Sequence, residues 1–144
     1  MQNIDDDYFS LLQWNAEFQE WYGSLILSPH GEVGLELPLE YGESDEVRNH
    51  IHKTTRIIER DELDFRNKAA DELFSDGSHL FYWPEDQPFK RDEFVQQMHL
   101  ALITFEMGFS EPEILLGYEY GEGVEHGIVV FLAWDGTYRL GRVF

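Results

Sequence analysis

Cysteine is absent from the 144-residue chain, which excludes disulfides, thiolate zinc sites, iron–sulfur clusters and cysteine nucleophiles. Bases are missing from long stretches. No lysine or arginine precedes Arg48 and none lies from Asp92 to Tyr138, although those two stretches carry 20 of the 29 carboxylates, 11 in the first and 9 in the second. No apolar run exceeds the seven residues Ile128 to Trp134, which suits a buried strand and falls well short of the roughly 20 that a membrane helix needs. Met1 to Asp7 offers neither the basic region nor the apolar core of a secretory signal or transit peptide, so a cytoplasmic location is expected. Also missing are a Gly-x-Ser-x-Gly elbow, a Walker loop and a dinucleotide fingerprint.

What remains is rich in core-forming residues. Hydrophobic residues make up 42% and aromatic residues 15%, too much for a disordered acidic tail even at a net charge of -19. The length suits one domain, residues 1–144, able to bury its own core. Between the two base-free stretches, Arg48 to Arg91 holds 9 acids and 8 bases, so the negative field is segregated toward the ends of the chain. Such a field repels nucleic acid and anionic lipid and attracts cations and basic proteins.

The hydrophobic pattern predicts an α+β domain. Tyr8 to Gln13 reads as a first strand and Glu20 to Ser28 as a second, ended by Pro29-His30-Gly31. From Glu32 to Glu40, Val33, Leu35, Leu37 and Leu39 alternate with Glu32, Glu36 and Glu40, the period of a half-buried strand. Pro38 places its end there or puts it at an edge. Ser44 is set to cap a helix with Asp45 and Glu46 in its first turn, and Val47, Ile51, Thr54 and Ile58 recur at helical spacing. A second helical pattern runs from near Asp61 through Phe65, Ala69 and Leu73 to Asp76-Gly77, and whether the two are one helix is open. Leu80-Phe81-Tyr82-Trp83 and the prolines after it read as a crossing loop, and Arg91 to Met98 as a short third helix. Strands are expected at His99–Met107, Glu113–Tyr120, His126–Trp134 and Thr137–Val143, with Asp135-Gly136 a strong hairpin signal. The sum is one antiparallel sheet of six to seven strands with two or three helices packed on one face.

No motif names a reaction. With 29 acids some carboxylate pair always has a glycosidase-like spacing, so pairs carry no information. Asp5-Asp6-Asp7 reads as a solvated run, and the Glu119–Glu125 loop lacks the spaced ligands of a calcium site. Gly121-Glu122-Gly123 echoes a phosphate loop but is ringed by glutamates. His50 and His52 lie about 200° apart on a helix and cannot share a metal. His30, His79, His99 and His126 read as partly exposed structural residues, with His126, next to Glu125, able to titrate near neutrality. No catalytic residue, metal or cofactor is expected.

The aromatic residues Trp14, Trp21, Tyr22, Phe81, Tyr82, Trp83 and Trp134 read first as core and rim packing. Tyr22, however, shares a strand face with Glu20, opposite Trp21 and Leu25. Carboxylates around an exposed aromatic are the composition of a protein-binding surface. Glu20, Tyr22, Glu32, Glu36, Glu113 and Glu119 are the candidate partner-binding residues. Phe9 and Leu11, Trp21-Tyr22-Gly23, Gly31-Glu32-Val33 with Leu35, the helical middle ending at Leu73, and His126-Gly127-Ile128 followed by Asp135-Gly136 together resemble a bacterial family of small acidic domains of unknown function, with relatives among toxin immunity proteins. The resemblance implies a fold and lends no catalytic residue. The expected function is a non-enzymatic domain occluding a basic toxin or nuclease, with no nucleic acid or membrane as partner. An acidic cytosolic domain without a basic partner, and a hydrolase or metal enzyme without a recognisable motif, are the alternatives.

Overall fold

A computed structural model of the chain describes residues 2–78, 90–107, 112–120 and 127–142, for Tyr120 and Arg142 the backbone alone. The chain opens with two short strands, β1 (Ile4–Asp6) and β2 (Ser10–Asn15), where the sequence predicts one. The turn between them holds because Asp6 Oδ2 accepts the main-chain N–H groups of Tyr8 at 2.8 Å and Phe9 at 2.9 Å. β3 (Glu20–Leu27) and β4 (Gly31–Pro38) form the expected hairpin, with Gly31 in the left-handed region at φ +76°. Val33, Leu35 and Leu37 are buried as their alternation requires.

A 3-10 turn, Leu39–Gly42, leads into α1 (Asp45–Ser75), a single helix of 31 residues. At 1.5 Å per residue it is about 46 Å long. Ser44 caps it as predicted, accepting the Val47 N–H at 3.3 Å. The two helical patterns join because the buried stripe continues through polar residues: Ile51, Thr54, Thr55 and Ile58 are followed by Glu62, Phe65, Arg66, Ala69 and Leu73. The helix stops at Asp76, with Gly77 at φ +77°. The predicted loop around Phe81-Tyr82-Trp83 lies outside the described residues. α2 (Arg91–Gln97) hands over to β5 (Met98–Glu106), and β6 (Glu113–Tyr120), β7 (Ile128–Leu132) and β8 (Tyr138–Arg142) complete the C-terminal meander.

All eight strands lie in one sheet in sequence order. It is mixed rather than antiparallel, because β4 and β5 pair in parallel through Gly34↔Leu102, Leu35↔Ile103 and Glu36↔Thr104. Parallel neighbours need a long crossover, and α1 with α2 supplies it. Both ends of the sheet reach the same helix. Tyr8, after β1, stacks on His52 at 4.8 Å, while Trp134 stacks on His50 at 5.4 Å and Tyr138 on Phe65 at 6.3 Å. The sheet therefore curls around α1, with the core on its inner face and the outer face turned away from the helix. Among the described residues no helix is long and apolar enough to cross a membrane.

Candidate partner-binding face

The six candidate residues all project from the outer face, since their strand neighbours Trp21, Val33, Leu35, Ile114 and Tyr118 are buried inside. Register joins one row across the sheet: Tyr22 opposite Glu36, Glu36 beside Thr104, then Leu115, Phe131 and Arg139. The Thr104 hydroxyl donates to Glu36 Oε2 at 3.2 Å. The next row is Ser24, Gly34, Leu102, Gly117, Val129 and Gly141. Its last glycine is required: a Cβ at Gly141 would stand 1.9 Å from Phe131 Cε2, so the ring lies where that side chain would be. The centre of the face is thus apolar and glycine-rich, with acids around it.

Those acids fall into two groups. At one end Glu20, Tyr22 and Glu36 meet Glu106, which sequence reasoning omitted and which pairs with Glu113 across β5 and β6. Burial holds the Glu20 carboxyl above its usual range, the charges of Glu36 and Glu106 push it the same way, and the Tyr22 hydroxyl partly offsets them. Tyr22 is likewise raised, by burial and then by Glu20 and Glu36. Like charges held together in this way favour a cation brought in from outside. At the other end Glu32 lies opposite Ile26, and Glu119 opposite His99. Glu113 already has a partner, because Arg139 Nη2 donates to its Oε1 at 3.2 Å while the guanidinium lies 4.4 Å from the Phe131 ring centre. Arg139 is the single basic side chain on this face among the described residues; the other bases whose side chains are described lie on α1, α2 or the segment leading into α2.

Two polar networks on the inner side were not legible in sequence. Glu62 is buried and accepts from three groups: Arg66 Nε at 2.7 Å, the Tyr118 hydroxyl at 2.9 Å, and His30 Nε2. The Leu100 N–H donates to His30 Nδ1 at 3.1 Å, so that nitrogen is bare, the proton sits on Nε2, and the ring is neutral. Burial pulls the His30 pKa down against the pull of Glu62. His30, expected partly exposed, is therefore a buried residue locking the β3–β4 turn to α1 and β5. Burial, then Glu62, also sets the Tyr118 hydroxyl well above its ordinary value.

The second network joins Asp6, Tyr41 and His52. Tyr41 donates its hydroxyl proton to Asp6 Oδ1 at 2.7 Å and accepts from His52 Nε2 at 2.6 Å. Burial opposes ionisation of Asp6, but the Tyr41 hydroxyl and the two turn amides outweigh it and leave the carboxyl below its usual range. The middle residue of the acidic run is thus turned inward, whereas Asp5 and Asp7 are exposed. Burial lowers the His52 pKa, with Asp6 working against it. Tyr8, beside them, is pushed up to about 12 by burial and its contact with Glu59. The two networks tie β1, the β3–β4 turn, β5, β6 and the 3-10 turn to α1. Among the described residues no three His, Asp or Glu side chains converge as a metal site. His79, His126, Glu122 and Glu125 lie outside the described residues.

Comparison of the chain with known protein families, with curated proteins and with solved structures finds no match.

Proposed function

We propose that the protein is a non-enzymatic binding domain whose outer sheet face captures a basic protein, in its specific form an immunity-type protein that occludes a cationic toxin or nuclease in the cytoplasm. One observation carries this reading: Glu20, Glu36 and Glu106 converge beside Tyr22 at the margin of an apolar strip formed by Leu102, Leu115, Val129 and Phe131. Apolar and aromatic groups supply contact area, and the carboxylates steer and orient a partner of opposite sign. Occlusion would act through the partner's own lysines and arginines, which a toxin of polyanionic substrates needs for its work. Glu32, Glu113 and Glu119 extend the acidic margin to the rest of the face.

The test is association with basic proteins, among them a cationic nuclease, at about 0.1 M and about 1 M salt, where the Debye length falls from about 10 Å to about 3 Å. Binding that weakens steeply with salt, and nuclease activity that falls as the complex forms, support the proposal. Binding insensitive to salt would sink it.

A further inference from the structure

β3 has a partner on both sides for only part of its length. β2 pairs with it through Asn15↔Glu20, Trp14↔Trp21 and Gln13↔Tyr22, after which β2 turns to pair with β1 instead. Gly23 makes the departure possible. A Cβ there would stand 2.6 Å from Leu12 Cδ2 and 3.7 Å from the Leu11 carbonyl oxygen, so β2 crosses over the strand where the side chain is missing. The result is a fork. Between Ser10 and Leu11 on one prong and Ser24 and Ile26 on the other lies a cavity of ≈ 370 Å³. Leu11 is 52% exposed and Ile26 75% exposed, two of the few large apolar side chains on the surface.

The edge of β3 along this fork is a template for another strand. Leu27 O accepts from His30 N at 2.7 Å, so the main-chain groups of Leu27 face β4. Strand residues alternate in this respect, which turns the N–H and C=O groups of Ser24 and Ile26 toward the fork, where no ladder meets them. An unpaired edge flanked by apolar side chains is the arrangement to which an extended segment adds as a strand. Charge selects the occupant. The fork is built entirely from the first 47 residues, which contain no lysine or arginine; the base beside it, Arg56 of α1, lies 5.6 Å from the ring of Tyr8, which also contacts Glu59. Asp5 stands opposite Leu11 and Glu32 opposite Ile26.

We infer that the fork between β2 and β3 binds an extended segment of alternating basic and apolar residues, contributed by a basic protein partner, which pairs with the main chain of Ser24 and Ile26. This rests on the reading of a basic partner and adds where and how part of it docks. A second acidic copy of the chain fits poorly, because it would bring the same carboxylates against the fork.

The probe is a short capped peptide of alternating lysine and valine, and its counterpart N-methylated on alternate amides, which keeps the charge but removes ladder donors. Titration followed by amide hydrogen exchange should slow exchange at Ser24 and Ile26, and the N-methylated peptide should bind about tenfold more weakly, the loss expected for one or two hydrogen bonds. Ile26→Lys, at an exposed position, should weaken the unmodified peptide while leaving the unfolding midpoint in place. Equal binding of the two peptides, unchanged exchange at Ser24 and Ile26, or a dimer of the chain alone that Ile26→Lys dissolves would each overturn the inference. If a basic protein instead perturbs Glu20, Glu36 and Phe131 without affecting the fork, the outer-face reading stands and this one falls. If the peptide protects Ser24 and Ile26 while no basic protein engages the outer face, the reverse holds.

Discussion

Replacing Glu62 by methionine should be among the most damaging single changes in this chain. The carboxylate is 3% exposed and its partner Arg66 5% exposed. Removing it leaves a guanidinium, a tyrosine hydroxyl and the His30 N–H facing an apolar side chain. Truncating one partner of a buried pair typically costs about 3–5 kcal/mol, because the remaining charge has lost its compensation. That is a fifth or more of the stability of an ordinary domain, which lies near 5–15 kcal/mol. With a urea dependence of about 2 kcal/mol per molar, the unfolding midpoint should drop by about 2 M. Glu62→Met combined with Arg66→Met removes both charges and should be less destabilising than Glu62→Met alone, a non-additivity that reports direct coupling. Tyr118→Phe takes away one donor while His30 and Arg66 still satisfy the carboxylate, so its cost should stay near 1 kcal/mol. Equilibrium urea denaturation of the parent, these three variants and Arg66→Met alone, five proteins, measures all of this. A loss below about 1 kcal/mol for Glu62→Met, or a double variant worse than the sum of its singles, would refute the reasoning.

Three further outcomes follow from the same contacts. His30 and His52 both have folded-state pKa values below the ordinary 6.5, so the unfolded chain binds protons first and stability should fall as pH drops below about 6.5, seen in unfolding curves between neutral pH and pH 5.5. Glu20 works in the opposite sense, since its raised folded pKa adds stability on acidification, but only as the pH approaches the carboxylate range. Ser44→Ala removes the cap of α1 and should cost about 1 kcal/mol, read as a melting temperature lower by a few degrees. Gly23→Ala forces a Cβ against Leu12, a fully buried side chain, and should cost about 1–3 kcal/mol by calorimetry.

Strands with one wet face were easiest to read. The alternation from Val33 to Leu37 identifies β4, and Asp135-Gly136 marks the β7–β8 turn, because each depends on residues adjacent in sequence. The unity of α1 was hidden by Glu62 and Arg66, which break the apolar period at its midpoint. They are buried because they satisfy each other together with His30 and Tyr118, residues 32 and 56 positions from Glu62. The parallel β4–β5 pair was equally hidden, since nothing local distinguishes a crossover helix from one joining antiparallel strands. β1 escaped notice because three residues carry only one apolar side chain. On the candidate face, Glu20, Tyr22 and Glu36 were legible from alternation alone. Glu106 and the apolar strip were not, because β5 to β7 are apolar on both faces and their periodicity does not say which side meets the helix.

The most direct measurement compares two neutralised variants in binding a basic protein partner: Glu20→Gln with Glu36→Gln on the outer face, and Glu46→Gln with Asp64→Asn on exposed positions of α1. Both lose the same net charge. Loss of two ion pairs at the half-buried Glu20 and Glu36 should weaken binding by about tenfold and flatten its salt dependence, while the helix pair stays close to the parent protein. Equal weakening by both pairs would show that overall charge, and not the outer sheet face, does the binding.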